Sequence, residues 1–215
     1  MQKLREFIKI YLSEYLFQFK IKEDIEIVLD KFISYLQELK KWNKTYSLTS
    51  ITDEQEIVVK HFIDSLLYLC FIPEESVKVA DVGSGAGFPG IPIGIVRANI
   101  NLTLIEPSWK KVAFLKNIKR KLQLKNIDIL QAKAEEVNEK FDIVVSRALW
   151  SIKDFIKNCK HLTEKGSLII SKSIKIEEEL KEIPKNVKVE IREFILPIFN
   201  AKRFIIKLEN VNTWD

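Results

Sequence analysis

Glycine and proline are scarce in this chain, six of each among 215 residues. That excludes a collagen-like repeat and a Pro/Gly-rich disordered polymer, and with 47% of residues hydrophobic and 30% charged the balance is that of a compact, ordered protein. Cysteine is nearly absent: Cys70 and Cys159 stand far apart and neither belongs to a C-x-x-C pair. A disulfide framework and a cysteine-based zinc site are thereby excluded, a reducing compartment fits, and no metal is expected. Long apolar runs are missing too. The run from Leu66 to Ile72 is less than half of the about 20 residues that a membrane span requires. The opening MQKLREFIKIYL breaks its apolar residues with charges where a signal peptide needs continuity. The expectation is a soluble, cytoplasmic protein without membrane contact. Internal repeats and low-complexity linkers are also lacking, so the length is read as one α/β domain with a modest extension.

Acids fall slightly short of bases, 30 against 35, leaving a formal charge of +5. That is enough to help attract a polyanion and too little to name one. One stretch has no acid at all: Lys110, Lys111, Lys116, Lys119, Arg120, Lys121 and Lys125 follow one another without a carboxylate between them. These are candidates for neutralising phosphates, with an ordinary solvated helix face as the plain alternative. A smaller cluster, Lys40, Lys41, Trp42 and Lys44, combines cations with an aromatic ring suited to stacking on an unpaired base.

What is present is strongly patterned. Leu4, Phe7, Ile8, Tyr11, Leu12, Tyr15, Leu16 and Phe19 recur at spacings of three and four, as do Ile25, Val28, Leu29, Phe32, Ile33, Leu36 and Leu39. Residues 1–72 therefore read as a helical extension of two amphipathic helices and a further helical stretch, with an irregular segment near Ser47 to Asp53. From residue 73 to 215 short β-rich runs alternate with helical segments: Val77–Val82, Leu102–Ile105, Ile127–Leu130, Phe141–Val145, Ser167–Ile170, Val187–Phe194 and Phe204–Leu208. This predicts an α/β fold with a seven-stranded, mostly parallel sheet. A helix is expected over Ile176 to Ile183. The last two runs leave no room for a helix between them and predict an antiparallel terminal hairpin.

The sharpest feature is the passage from Asp81 through Gly83, Gly85 and Gly87 to Phe88-Pro89-Gly90, a strand running into a glycine-rich turn and then a helix. Glycine serves where the backbone turns tightly or a ligand lies against it, and Pro89 suits the first turn of the following helix. Glu106 closes the second strand nineteen residues after Gly87, where a carboxylate can accept hydrogen bonds from both hydroxyls of an adenosine ribose. The passage also contains the G-x-G-x-x-G dinucleotide fingerprint. The acid-led register D-x-G-x-G-x-G resembles instead S-adenosylmethionine-dependent methyltransferases of class I with a Rossmann-like fold, and puts Asp81 near the methionine end of that cofactor.

Beyond this loop the chain resembles the family of ribosomal RNA small subunit methyltransferase G, also called glucose-inhibited division protein B. The resemblance runs through Trp42-Asn43 with Leu48-Thr49, His61-Phe62-Ile63-Asp64-Ser65-Leu66, the loop Asp81 to Pro92, and Glu106 with Lys110-Lys111 to Phe114-Leu115. It continues through Ala134-Glu135-Glu136 and Ser146-Arg147-Ala148 to Lys172 and Arg203. Departures fall at Ser47 and Ser173, where the family usually has Asn and Gly, and bear on a detail of substrate contact. The resemblance implies methyl transfer to N7 of a guanine in the 530 loop of 16S rRNA, offered as free rRNA, the 30S subunit or an assembly intermediate, by a monomer. It implies cofactor contacts at Gly83, Gly85, Gly87, Phe88, Glu106, Ala134, Glu135 and Arg147. Arg147 and His61 are the candidate catalytic residues, and Lys110, Lys111, Lys116, Lys119, Arg120, Lys172 and Arg203 the candidate RNA contacts. For Arg147 a structural salt bridge is the plain alternative. His61 either fixes the helical part against the sheet or meets substrate. The Asn/Asp-Pro-Pro-aromatic tetrad of exocyclic-amine methyltransferases is absent where Ser146-Arg147-Ala148-Leu149 stands, and Cys70 and Cys159 read as small core residues instead of nucleophiles. The rival readings are a methyltransferase for a protein or small molecule, a non-catalytic RNA-binding or ribosome-assembly protein, and a nicotinamide oxidoreductase.

Overall fold

The structure is a computed structural model that describes residues 2–147, 149–173 and 176–213. Ala148 of the Ser146-Arg147-Ala148 motif lies outside the described residues. The chain opens with helices α1 (Gln2–Gln18) and α2 (Ile25–Tyr46). Asp24 caps α2, its carboxylate accepting from the amides of Glu26 and Ile27 at 2.8 and 3.2 Å, and Ser47 ends it in the left-handed region at φ 50°. A composite helical segment follows: α3 (Glu54–Ile57), a π-helical turn (Val58–Ile63), α4 (Asp64–Leu66) and a 3-10 turn (Leu67–Cys70).

The remainder alternates: β1 (Lys78–Val82), α5 (Gly90–Val96), β2 (Asn101–Ile105), α6 (Trp109–Lys121), β3 (Ile127–Leu130), β4 (Ile143–Arg147), α7 (Ile152–Cys159), β5 (Ser167–Lys172), α8 (Ile176–Lys181), β6 (Lys188–Leu196) and β7 (Ala201–Glu209). The seven strands form one sheet in the order β3-β2-β1-β4-β5-β7-β6. β1 to β5 pair in parallel, β7 lies antiparallel to β5, and β6 antiparallel to β7. The alternation and the terminal hairpin are as the sequence predicts. The hairpin begins earlier than expected on its second arm, at Ala201 instead of Phe204, because Lys202 and Arg203 pair in register with Ile195 and Phe194 despite being charged. In such a sheet the strand order reverses between β1 and β4, and a crevice opens outside their carboxyl ends.

One buried apolar cluster runs without a break from the helical extension (Ile8, Phe32, Phe62) to the sheet and its helices (Ile91, Phe114, Val145). Tyr35 on α2 is central to it. Fully buried, it stacks on Phe62 at 5.3 Å, Phe88 at 5.4 Å and Phe114 at 6.3 Å between centroids, and its hydroxyl donates to the Ala86 carbonyl at 2.5 Å. A residue of the first fifty thus holds the glycine-rich loop. Replacing Tyr35 by Phe keeps the stack but orphans a buried carbonyl, a loss of about 1 to 3 kcal/mol. Tyr35→Ala also opens a cavity and is expected to lose at least about 3 to 5 kcal/mol. Urea unfolding followed by circular dichroism separates the two, and equal losses would show that the aromatic stack contributes nothing.

Candidate active site

The loop after β1 combines two kinds of constraint. Gly83, Gly85 and Gly87 all adopt positive φ, at 72°, 59° and 98°. At Gly87 the protein itself forbids a side chain, since a Cβ would lie 2.4 Å from Ile91 and 2.8 Å from the Tyr35 hydroxyl. At Gly85 the nearest atom to a Cβ is the Gly83 carbonyl oxygen at 3.8 Å. Nothing but backbone conformation excludes a side chain there, and the open space is what a ligand against the loop requires.

Two buried carboxylates flank this loop. Glu106, 3% exposed, accepts from the amide of Gly85 at 2.9 Å and that of Ser108 at 3.0 Å, with the Lys111 ammonium 3.8 Å away. Asp81 is wholly buried, and one of its oxygens accepts from the Gly90 amide at 2.8 Å while the other, Oδ1, has no partner among the described residues. Burial pushes its carboxyl up to about 7. An orphaned buried oxygen costs stability unless something polar arrives. Beside the loop opens a cleft of about 370 Å³, with Gly83, Pro107, Ala134, Glu135, Leu149 and Trp150 among its walls.

A second pocket, of about 300 Å³, is lined by Lys60, His61, Asp64, Arg147, Lys172 and Arg203 among others. All of these but Lys172 are joined in one chain of polar contacts. The Asn43 side chain holds Thr49 by both backbone groups, donating to its carbonyl at 2.9 Å and accepting from its amide at 2.8 Å. The Thr49 hydroxyl lies 2.9 Å from His61 Nε2, and Arg147 meets His61 Nδ1 at 3.1 Å. A guanidinium only donates, so Nδ1 accepts and the ring proton sits on Nε2, which donates to Thr49. Burial and then the Arg147 charge lower His61 to about 3, so the ring is neutral. Arg147 also donates to the Lys60 carbonyl at 3.2 Å, approaches Asp64 at 3.6 Å and lies over the Phe88 ring at 4.9 Å. Asp64 in turn accepts from Arg203 at 2.7 Å. Burial pushes the Asp64 carboxyl up against the pull of both guanidiniums.

His61 is delivered by the π-helical turn, whose wider bore shifts the residues after it around the helix axis. Its ring stacks on Phe88 at 4.5 Å. Phe88, expected among the cofactor contacts, therefore has its ring in the aromatic stack and not among the cleft walls. Arg147 likewise lines the second pocket. Lys172 is tied to the Trp150 carbonyl at 2.8 Å and to Glu179 at 2.8 Å, so it braces the segment after β4. The basic stretch divides along α6, whose 13 residues span roughly 20 Å. Lys110 and Lys111 stand at the cleft end. At the far end Lys119 pairs with Asp128 at 2.9 Å and Lys121 with Glu38 at 2.6 Å. Trp42, read as a base-stacking candidate, is turned inward onto Phe114, 5.6 Å away. Sequence reasoning passed over Tyr35, Trp150 and Glu179. Tyr35 had a signal, lying three residues after Phe32 on the buried face of α2, whereas the other two act across loops that no periodicity connects.

A family model described as rRNA small subunit methyltransferase G matches residues 28–206. The chain belongs to that family. A ribosomal RNA small subunit methyltransferase G from Francisella tularensis subsp. holarctica is 38% identical over 184 residues, covering 84% of this chain and 87% of the relative. The one from Acetivibrio thermocellus is 35% identical over 193 residues, covering 84% and 80%. Among solved structures, a SAM-dependent methyltransferase from Aquifex aeolicus superposes with TM-score 0.56 at 16% identity, over 76% of this chain and 97% of that one. M. jannaschii TYW2 in complex with AdoMet does so with TM-score 0.54 at 18% identity, over 74% and 78%. These two likenesses support the fold, and the family makes the chain an S-adenosylmethionine-dependent methyltransferase.

The glycines separate experimentally. Gly87→Ala meets backbone strain and filled space, so it is expected to destabilise the protein with or without ligand. Gly85→Ala meets only the left-handed strain, about 1 to 2 kcal/mol, and is expected to fold yet lose most of the thermal shift given by S-adenosylmethionine. A Gly85→Ala variant that keeps the full shift would place the cofactor away from this loop.

Proposed function

We propose that this enzyme methylates N7 of a guanine in the 16S RNA of the small ribosomal subunit, acting in the cytoplasm as a monomer on rRNA, the 30S subunit or an assembly intermediate. The observation that carries the reading is the lack of a free general base in the pocket beside the cleft, among the described residues. His61 is neutral with both ring nitrogens engaged, and Asp64 is held by arginines. The Cys70 and Cys159 thiols are each pushed up to about 12 by burial, too high for a nucleophile. A target whose nucleophile carries a proton would need such a base. Guanine N7 has an in-plane lone pair and no proton, so positioning alone suffices.

The residues present fit the cofactor. S-adenosylmethionine supplies a methyl group on a positively charged sulfur, and the chain's part is to hold that group and aim the base. Gly83, Gly85, Gly87, Ala134 and Glu135 would cradle it, Glu106 would take the ribose hydroxyls with its remaining lone pairs, and Asp81 Oδ1 would meet the methionine ammonium. Arg147, oriented by His61, would fix a phosphate or the purine edge with its planar donor face. Lys172 and Arg203 would hold the pocket's far wall towards RNA, and the α6 cations Lys110, Lys111, Lys116 and Arg120, with Lys119 once RNA draws it from the exposed Asp128, would neutralise phosphates.

Labelled methyl transfer to 16S rRNA, offered naked and as 30S subunits lacking the modification, tests the reading. Label in 7-methylguanosine is expected, and Arg147→Lys, which keeps the buried charge but not the planar fork, is expected to lose most of it with cofactor binding retained. Label in another nucleoside, or none despite cofactor binding, would sink the proposal and favour a protein or small-molecule substrate.

The Asp81 assignment is tested apart from RNA. In the free protein its carboxyl is held up at about 7, and a nearby ammonium favours the ionised form, so the proton must leave on binding. At pH 6.5, below the usual α-amino range, calorimetry in buffers of different ionisation heat should record proton release that is lost in Asp81→Asn and turns to uptake at pH 9, where Asp81 is already ionised and the free cofactor amine is largely neutral. No exchange at pH 6.5 would put the ammonium elsewhere.

A further inference from the structure

The two basic and aromatic clusters of the sequence come together in the fold. α2 and α6 pack antiparallel: Glu38 accepts from Asn117 at 2.9 Å and Lys121 at 2.6 Å, and one turn further along α2 Trp42 meets Phe114 edge-on at 5.6 Å. Carrying that register on by a turn brings Tyr46 to the level of Lys110. Trp109 opens α6 at this end, two residues after Pro107 in the cleft wall.

Trp109 is 61% exposed, and Tyr46 is 37% exposed. The Lys110 ammonium lies 5.8 Å from the centre of the Trp109 ring. Part of the positive charge on the helix pair is committed: Lys40 faces Glu54 and Lys111 lies 3.8 Å from Glu106. Lys119 and Lys121, at the far end of α6, are neutralised by Asp128 and Glu38. Lys41, Lys44, Lys110 and Lys116 have no acidic partner within 4.0 Å among the described residues. An uncovered indole with the Lys110 ammonium beside it, next to the methyl-transfer cleft, has the chemistry that holds single-stranded nucleic acid: stacking for a base and a cation for its phosphate. An acidic peptide would use the lysines but has no need of the indole face.

We propose that Trp109 stacks an unpaired nucleobase of the RNA substrate, with Lys110 and the lysines ending α2 neutralising the adjoining phosphates, so that a nucleotide near the target is held at the cleft mouth. This rests on RNA being the substrate. The sequence alone put the stacking ring at Trp42, which packing has turned inward.

The experiment is binding of a fluorescently labelled fragment of 16S rRNA to the full-length protein, titrated at several salt concentrations, alongside calorimetry with S-adenosylmethionine. Trp109→Ala should weaken RNA binding about tenfold, the order of one lost stacked base, while leaving the salt slope and cofactor affinity unchanged. Trp109→Phe should restore most of the loss. Lys110→Ala should instead lower the salt slope by about one. Unchanged RNA affinity in Trp109→Ala would overturn the proposal while the wild type still methylates RNA. So would a matching loss of cofactor affinity, which would make Trp109 a wall of the cleft. A wild-type protein that neither binds nor methylates RNA would overturn the functional reading, and this inference with it.

Discussion

A guanidinium taken out of water must find acceptors for its N–H groups, and the Arg147 side chain is only 16% exposed. Its partners come from the Lys60 carbonyl, the His61 ring, the Asp64 carboxylate and the face of Phe88. The helical extension supplies the first three, and the glycine-rich loop the fourth. Because Arg147 closes β4, the cation ties the extension to the carboxyl edge of the sheet, where the cofactor cleft opens. The neutrality of His61 follows from burial and from the same contact, since a ring nitrogen that accepts from a guanidinium cannot also carry a proton. A residue type that suggests acid–base chemistry is thereby made into a strut.

The glycine-rich loop depends on remote groups in a comparable way. Its three positive-φ glycines permit the turn, but what keeps the turn in place is Glu106 on the Gly85 amide, Asp81 on the Gly90 amide and Tyr35 on the Ala86 carbonyl. The loop thus meets the cleft already formed, and Asp81 Oδ1 is left over as the polar atom that a ligand can satisfy. Preorganisation of this kind suits a transfer reaction in which positioning carries catalysis.

The chain's small formal charge of +5 understates how unevenly its cations are committed. Arg203, Lys172, Lys119 and Lys121 face carboxylates, whereas Lys110 lies beside the exposed Trp109 ring at the start of α6. Net charge fixes the sign of the attraction for a polyanion, while the pairing pattern fixes where it is felt.

The sequence by itself determined the order and type of nearly every element, because helix and strand periodicities are local and this chain states them cleanly. It also determined the loop: an acid, three alternating glycines and an acid closing the next strand are readable without coordinates. It could place Asn43, Thr49, His61, Asp64, Arg147 and Arg203 in one family pattern, but not in one chain of hydrogen bonds, since they are scattered over most of the chain length and meet only when α2, the π-helical turn, β4 and β7 converge. Tertiary structure alone decided that Trp42 faces inward while Trp109 faces out, that Lys172 braces a loop, and that His61 is neutral. Those outcomes depend on burial and on which charge lies a few ångströms away, quantities that a linear pattern does not contain.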